Sequence, residues 1–138
     1  MIDLENDVFT YLSSELRTQY PGIYCVGEYV AAPSTFPAVS IVEADNRVFT
    51  RMRTATIENA ASVMYEVNIY SNRQNGKKQE AKAIAETIDR LFEVKGFTRT
   101  TRNQVPNFND ATIYRLVCRY EGVIGLPGAD GKYLIYQN

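Results

Sequence analysis

Two stretches of the chain place apolar residues at the spacing of a helix. The first, residues 3–19, carries an apolar stripe made of Leu4, Val8, Phe9, Leu12 and Leu16. The second, residues 77–95, carries a stripe made of Ala81, Ile84, Ala85, Ile88, Leu91 and Phe92. Pro21-Gly22 follows the first stretch and Gly96 follows the second, and both are typical of helix ends. The sequence therefore predicts two helices, each with one face turned to a core.

The remaining apolar residues alternate with other side chains or cluster in short runs, as they do in strands. The clearest run is 62–71, which places Val63, Tyr65, Val67 and Ile69 on one face. Strands are also predicted at 23–30, 38–43, 48–54, 97–102 and 112–124. Residues 44–47, Ala-Asp-Asn-Arg, have the composition of a turn, which makes the strands on either side of them a hairpin. The polar segments 54–61 and 103–110 are predicted loops.

The order of these elements indicates an α+β fold. Short connections between neighbouring strands favour antiparallel pairing. Two helices with one apolar stripe each would cover one face of the sheet. We therefore expect a mostly antiparallel sheet with two helices packed on one face, a two-layer sandwich, in a single domain over residues 1–125. Residues 126–138 form a C-terminal extension, whose short predicted strand at 133–136 either folds back beside 112–124 or adds to a neighbouring subunit.

Charge and composition remove several classes of function. The 138 residues include 15 basic and 16 acidic side chains, a net charge of −1, so a strongly basic nucleic-acid binder is not indicated. There is no histidine, which removes His-dependent nucleophilic catalysis and most zinc sites. The two cysteines, Cys25 and Cys118, are far apart and lie in apolar stretches. We expect two reduced core cysteines, with a disulfide as the alternative.

No other motif predicts a chemical site. Gly125–Gly131 is glycine-rich but lacks the Lys-Ser/Thr ending and the following helix of a phosphate loop. Glu80, Glu86 and Asp89 are expected on the solvated side of the second helix. Acidic residues open the chain and no apolar run approaches the roughly 20 residues of a membrane span, so we expect a soluble protein without a signal peptide. The sequence predicts no catalytic residue, cofactor, metal or small-molecule substrate.

Arginines on the predicted strands form the main candidate interaction surface. They fall into three groups: Arg47, Arg51 and Arg53, then Arg115 and Arg119, and on the strand between them Arg99 and Arg102. If these strands adjoin, one sheet face carries a row of guanidinium groups that would contact a phosphate backbone or an acidic partner. The alternative is a solvated face on which arginines pair with Glu66 and Glu121.

Two lone apolar residues on the polar loops, Ile57 and Phe108, are further candidates, because loops often supply anchors for protein partners. Isolated apolar residues are also common on ordinary surfaces, so both interpretations stay open. The candidate contact residues are therefore Arg51, Arg53, Ile57, Phe108, Arg115 and Arg119.

The arrangement of several segments resembles a known family. Phe36-Pro37-Ala38-Val39-Ser40-Ile41 enters a strand from a proline-bearing loop, and Tyr65-Glu66-Val67-Asn68-Ile69-Tyr70 follows on a later strand. One amphipathic helix comes next, and then two strands that end at Arg119-Tyr120-Glu121. Over residues 3–124 the chain resembles the tail terminator, or tail completion, proteins of long-tailed bacteriophages, of the lambda type. Lys77-Lys78-Gln79-Glu80-Ala81 also resembles relatives in phages of Gram-positive hosts.

This resemblance implies a structural protein and not an enzyme. Subunits of that family are α+β domains that close into a hexameric ring at the head-proximal end of the tail tube. The ring stops tube polymerisation and offers a head-joining surface, and DNA passes through its lumen without tight binding. The implied partners are further copies of the chain, the tail tube protein and the head connector protein, in the host cytoplasm during assembly and then at the head–tail junction of the virion. Residues 126–138 extend beyond the resemblance.

The competing hypothesis is a small α+β nucleic-acid-binding or other protein-interaction module. An RNA-binding sheet needs exposed aromatic residues on central strands, for which Tyr65 and Tyr70 are the available side chains. A closed ring instead requires heterologous interfaces, in which one patch meets a different patch on the neighbour. The two hypotheses therefore differ in what the sheet face and the sheet edges should look like.

Overall fold

The structure is a computed structural model that describes residues 3–30, 33–48, 60–107, 110–127 and 133–136. The candidate residues Arg51, Arg53, Ile57 and Phe108 lie outside these ranges. The two described helices are α1 (Glu5–Gln19) and α2 (Lys77–Val94). The described strands are β1 (Tyr24–Val26), β2 (Ala38–Val48), β3 (Ala60–Ser71), β4 (Thr98–Gln104), β5 (Tyr114–Pro127) and β6 (Tyr133–Tyr136).

The strands form one sheet in the order β1-β2-β3-β5-β4, with β6 paired to β5. β1 runs parallel to β2, and the other strand pairs are antiparallel. Both helices pack on one face of this sheet, where their apolar stripes meet the buried strand residues in one core. The α+β class and the two-layer arrangement expected from the sequence are confirmed.

Local signals explain where the helices begin and end. The Asp3 carboxylate accepts a hydrogen bond from the Glu5 backbone N–H at 3.1 Å, which satisfies a donor that a helix start leaves unpaired. Gly96 follows α2 with a φ of 86°, and the Phe97 N–H donates to the Phe92 carbonyl at 3.0 Å. The left-handed glycine and the hydrogen bond from Phe97 back to Phe92 end the helix where the sequence predicts.

An aromatic cluster joins α2 to the middle of the sheet. The rings of Phe92 and Tyr120 stack with centroids 4.2 Å apart, and Phe97 meets both Phe92 and Tyr65 edge-on at 5.3 and 5.8 Å. All four side chains are buried. Each such pair adds roughly 0.5–1.5 kcal/mol beyond the burial of apolar area, so the cluster fixes the helix on the sheet.

The turn predicted at residues 44–47 is wrong. β2 continues through it to Val48, and the pairing with β3 shifts by one residue between Glu43 and Asp45, which is a β-bulge at Ala44. The Asp45 carboxylate accepts from the Asn46 backbone N–H at 2.9 Å, so the turn-forming chemistry of this segment stabilises a bulge inside a strand. Val48, the first residue of the predicted return strand 48–54, is the end of β2, and residues 49–54 lie outside the described ranges.

Other boundaries differ less. β3 begins at Ala60 and so includes the end of the predicted loop 54–61. β4 extends to Gln104, into the predicted loop 103–110. β6 pairs antiparallel with the end of β5, Val123 opposite Tyr136, which is the fold-back alternative for the extension. Both cysteines are free and buried, as expected, and burial raises the pKa of the Cys118 thiol to about 11.

We predict that replacing Gly122 with alanine destabilises the fold. A Cβ at this position would lie 2.6 Å from Cδ1 of Phe97, whose ring is buried against Tyr65 and Phe92 and cannot shift. Overpacking of this kind costs about 1–3 kcal/mol, so the urea midpoint should fall. Gly27→Ala is the matched control, because its Cβ would make an ordinary 3.8 Å contact with Phe9. Equal midpoints for the two variants would contradict the prediction.

Candidate functional site: the helix-free face and the sheet edges

One face of the sheet carries no helix. Residues directly opposite each other in an antiparallel pair lie on the same face. The helices cover the face that bears Tyr65 and Val67, so their neighbours in the strand project to the other side. We call this other side the helix-free face; on the central strands it carries Glu66, Asn68 and Tyr70 of β3 and Arg115, Val117 and Arg119 of β5.

A continuous hydrogen-bonded polar network lies on this face and consists of Glu66, Asn68, Arg115 and Arg119. Arg115 donates from Nε and Nη2 to Oδ1 of Asn68 at 3.0 and 2.7 Å. Asn68 donates from Nδ2 to one Glu66 oxygen at 3.3 Å, and Arg119 donates from Nε and Nη2 to the other at 3.1 and 3.0 Å. Glu66 is thus the cross-strand partner of an arginine, as the alternative interpretation of this face predicts.

Aromatic side chains hold the Arg115 end of the polar network. The guanidinium carbon of Arg115 lies 5.4 Å from the Tyr29 ring centroid and 5.8 Å from that of Tyr70. Tyr70 is buried and donates from its hydroxyl to the Val30 carbonyl at 2.6 Å, and the Ser40 hydroxyl donates to the Glu28 carbonyl at 3.0 Å. The segment before β2 is therefore tied to the helix-free face, and Arg115 is fixed between two rings.

The predicted row of arginines is divided between the two faces. The bulge at Ala44 places Arg47 opposite Ser62 on the helix-free face, where it pairs with Asp45 at 3.0 Å. In β4 a second bulge at Thr100 shifts the register, so Arg99 lies opposite Tyr120 and Arg102 opposite Cys118. Both β4 arginines therefore lie on the helix side, away from Arg115 and Arg119, so the described arginines do not form the single guanidinium row that was one of the two interpretations.

Asp89 is not part of a simple solvated helix face, which corrects the prediction for that residue. It accepts a hydrogen bond from the buried Tyr120 hydroxyl, and its other oxygen lies 2.6 Å from Nη1 of Arg99. These three residues line an open cleft of about 250 Å³ between α2 and β4. Burial, and then the bond to the carboxylate, raises the pKa of Tyr120, so the phenol stays a neutral donor and cannot serve as a base.

Several carboxylates lie along the outer side of β2, past the point where its pairing with β1 ends at Ser40. We call Asp3, Glu5 and Glu43 the acidic patch. The Glu43 backbone N–H donates to Oε2 of Glu5 at 2.6 Å, and Oε1 of Glu43 accepts from Asn46 Nδ2 at 3.2 Å. Burial raises the pKa of Glu43, and the negative charges of Asp3 and Glu5 act in the same direction.

The opposite edge of the sheet is basic. β4 ends the strand order, and all seven of its residues are exposed. It carries Arg99 and Arg102 and no acidic residue. Arg99 is paired with Asp89, whereas no carboxylate pairs with Arg102 in the part of the chain that the structure describes.

Sequence reasoning missed Asn68 and the acidic patch. Asparagine is depleted in strands, so Asn68 in the middle of the clearest predicted strand is a signal that could have drawn attention to it. From the sequence, the acidic residues at positions 3, 5 and 7 could be interpreted only as charges that stabilise the N-terminal end of the helix dipole. Nothing in the sequence indicates that Glu43 lies beside Glu5.

Comparison with known proteins identifies no relative: no protein-family model matches the chain, and no curated protein matches it significantly. Neither helix in the described ranges has the length and apolar character to cross a membrane. The same ranges contain no cluster of three potential metal-ligating side chains.

We predict that Asn68→Ala destabilises the protein more than Arg119→Ala. Asn68 is fully buried, and its loss leaves two donors of Arg115 without their acceptor, a cost of about 1–3 kcal/mol. The Arg119 side chain is 49% exposed, and a surface ion pair of this kind contributes about 0–1 kcal/mol. Urea unfolding at neutral pH measures both variants, and an equal or reversed order would contradict the role given to Asn68.

We predict that Glu43→Gln stabilises the protein at neutral pH. The folded state binds the Glu43 proton more tightly than the unfolded state, so the ionised carboxylate destabilises the fold above its folded pKa. This penalty disappears as the pH falls through that pKa. Glutamine keeps an oxygen to accept from Asn46 and Tyr65. The difference in unfolding free energy should therefore shrink between about pH 7 and about pH 4.

The control for this experiment is Glu93→Gln on the exposed side of α2. It removes the same charge outside the acidic patch and should change stability little at either pH. A Glu43→Gln variant that is less stable than wild type at neutral pH, or whose advantage is independent of pH, would refute the prediction.

Proposed function

We propose that the protein is a tail terminator subunit of a long-tailed bacteriophage or a related particle. In this function it assembles into a hexameric ring on the head-proximal end of the tail tube. The ring ends tube polymerisation and provides the surface to which the head is joined. Its proposed partners are copies of itself, the tail tube protein and the head connector protein, and DNA passes through the lumen. Its proposed location is the host cytoplasm during assembly and then the head–tail junction.

The observation that carries this proposal is the helix-free face with its polar network. The central arginines of this face are already bonded, Arg115 to Asn68 and Arg119 to Glu66. Bonded guanidinium groups are pre-ordered for contact with a flat protein surface, and arginine in such positions is typical of interface anchors. The same bonds weaken any grip on phosphates, as a ring through which DNA must move requires.

The segments that carry the family resemblance support it further, because they are neighbours in the fold. Phe36–Ile41 leads into β2 and Tyr65–Tyr70 belongs to β3, and the two pair with Ala38 opposite Tyr70 and Ile41 opposite Val67. The resemblance therefore involves the centre of the sheet and not scattered peripheral positions.

The structure offers less support for the competing module. Tyr65 and Tyr70, the candidate platforms for stacking RNA bases, are both buried, at 0% and 1% exposure. Base stacking requires accessible ring faces on the central strands. The cleft beside Asp89 contains a neutral phenol and an ion-paired carboxylate, an arrangement that orients side chains and does not supply a base.

We predict that the purified protein associates into rings and binds DNA weakly. Sedimentation velocity over a concentration series should show monomers at low concentration in exchange with a hexamer, and electron microscopy should show rings. Binding to duplex DNA should be weak at about 0.15 M salt, because the central arginines are already bonded. A stable dimer without any larger species would argue against a terminator, and tight DNA binding at this salt would favour the nucleic-acid module.

A further inference from the structure

The two edges of the sheet are built differently. At the β2 edge, the Glu43 backbone N–H donates a hydrogen bond to the Glu5 carboxylate, and the Asn46 backbone N–H donates one to the Asp45 carboxylate. Bonded donors and local negative charge protect this edge from strand addition. The β4 edge is exposed along its whole length. One edge of the sheet is therefore capped and acidic, and the other is open and basic.

Each edge also carries charge that has no opposite partner in the described part of the chain. Within the described ranges, none of the three carboxylates of the acidic patch forms an ion pair with a cation, and Asp3 is exposed. Arg102 is likewise exposed and without a carboxylate partner there. Opposite charges of this kind steer association and specify which surfaces meet.

The two charged surfaces are far enough apart to be used together. Three strand spacings separate β2 from β4, which is roughly 14 Å. One copy can therefore contact a second copy through its β4 edge and a third through its acidic patch. Such a contact is heterologous, and heterologous contacts repeat around a ring or along a filament.

We propose that the β4 edge of one copy docks on the acidic patch of the next copy, with Arg102 facing the carboxylates at the start of α1. This inference rests on the proposed ring and names the two surfaces that meet in it. Side chains make the contact, because the Glu43 N–H is already bonded to Glu5 and cannot pair with a strand. The partner is a second copy of this chain, because the chain itself carries both the basic edge and the acidic patch that complements it.

The decisive experiment exchanges the two charges. Arg102→Glu and Asp3→Lys should each weaken association at least about tenfold, because each places like charges across the contact. The double variant carries the exchanged pair at every interface and should recover association. Arg102 is exposed, so Arg102→Glu should keep the wild-type urea midpoint. Asp3→Lys also loses the bond to the Glu5 N–H and should have a lower midpoint, whereas Asp3→Asn keeps an acceptor there and should not. Sedimentation velocity reports the assembled fraction of all four proteins.

Matched controls separate the contact from total charge. Lys82→Glu and Glu86→Lys make the same charge changes at exposed positions of α2 and should leave association unchanged. The neutral variants Arg102→Gln and Asp3→Asn should weaken association less than the reversals. Wild-type association should also weaken between about 0.05 and about 0.5 M salt, as screening of an ionic contact requires.

The outcomes distinguish this inference from the function on which it rests. If the wild type forms rings and the charge reversals leave them intact, or the double variant fails to recover, the proposed contact is wrong and the ring stands. If the wild type remains monomeric at every concentration, ring formation is refuted, and the docking contact is refuted with it. If the two single charge reversals lose association and the double variant regains it, the proposed contact is supported.

Discussion

The register between β3 and β5 is the constraint on which the rest of the molecule depends. The two strands pair from Ala60 opposite Gly125 to Ser71 opposite Tyr114. Because side chains alternate between faces, a slip of one residue would move the whole apolar set of one strand into solvent. The same register places Glu66 opposite Arg119. The core and the polar network are thus two consequences of one ladder, and neither can change without the other.

The periodicity of apolar residues in the sequence was sufficient to predict which face of each helix and of β3 is buried. The apolar stripes predicted both helices, and the alternation in 62–71 predicted which side of β3 is buried. The turn at 44–47 was wrong, and the faces of the arginines on β2 and β4 were not predictable, for a common reason. Each depends on a bulge, at Ala44 or Thr100, and a single unpaired residue leaves no apolar pattern of its own. Each bulge then reversed the faces of the residues that follow it.

Contacts between elements distant in the sequence were predictable only in part. The pairing of Glu66 with Arg119 followed from two neighbouring strands whose charged faces match. The bond of Tyr120 to Asp89 joins a strand to a helix, and that of Glu43 to Glu5 joins a strand to the other helix. A pattern within one element assigns a residue to a face and does not give its distance from a second element. The acidic patch therefore became visible only in the folded chain.

The unlike edges also determine what kind of assembly this sheet can enter. An open edge can accept a strand from a neighbour, whereas a capped edge can be contacted only through its side chains. With the Glu43 N–H bonded to Glu5, the acidic edge accepts side-chain contacts but not strand pairing. An ionic contact with the exposed β4 edge gives direction to association, while water and salt around those charges limit its strength. In the ring we propose, weak directional contacts would let free subunits exchange between monomer and ring, and the end of a tail tube would favour the ring by holding several subunits together, where many weak contacts act at once.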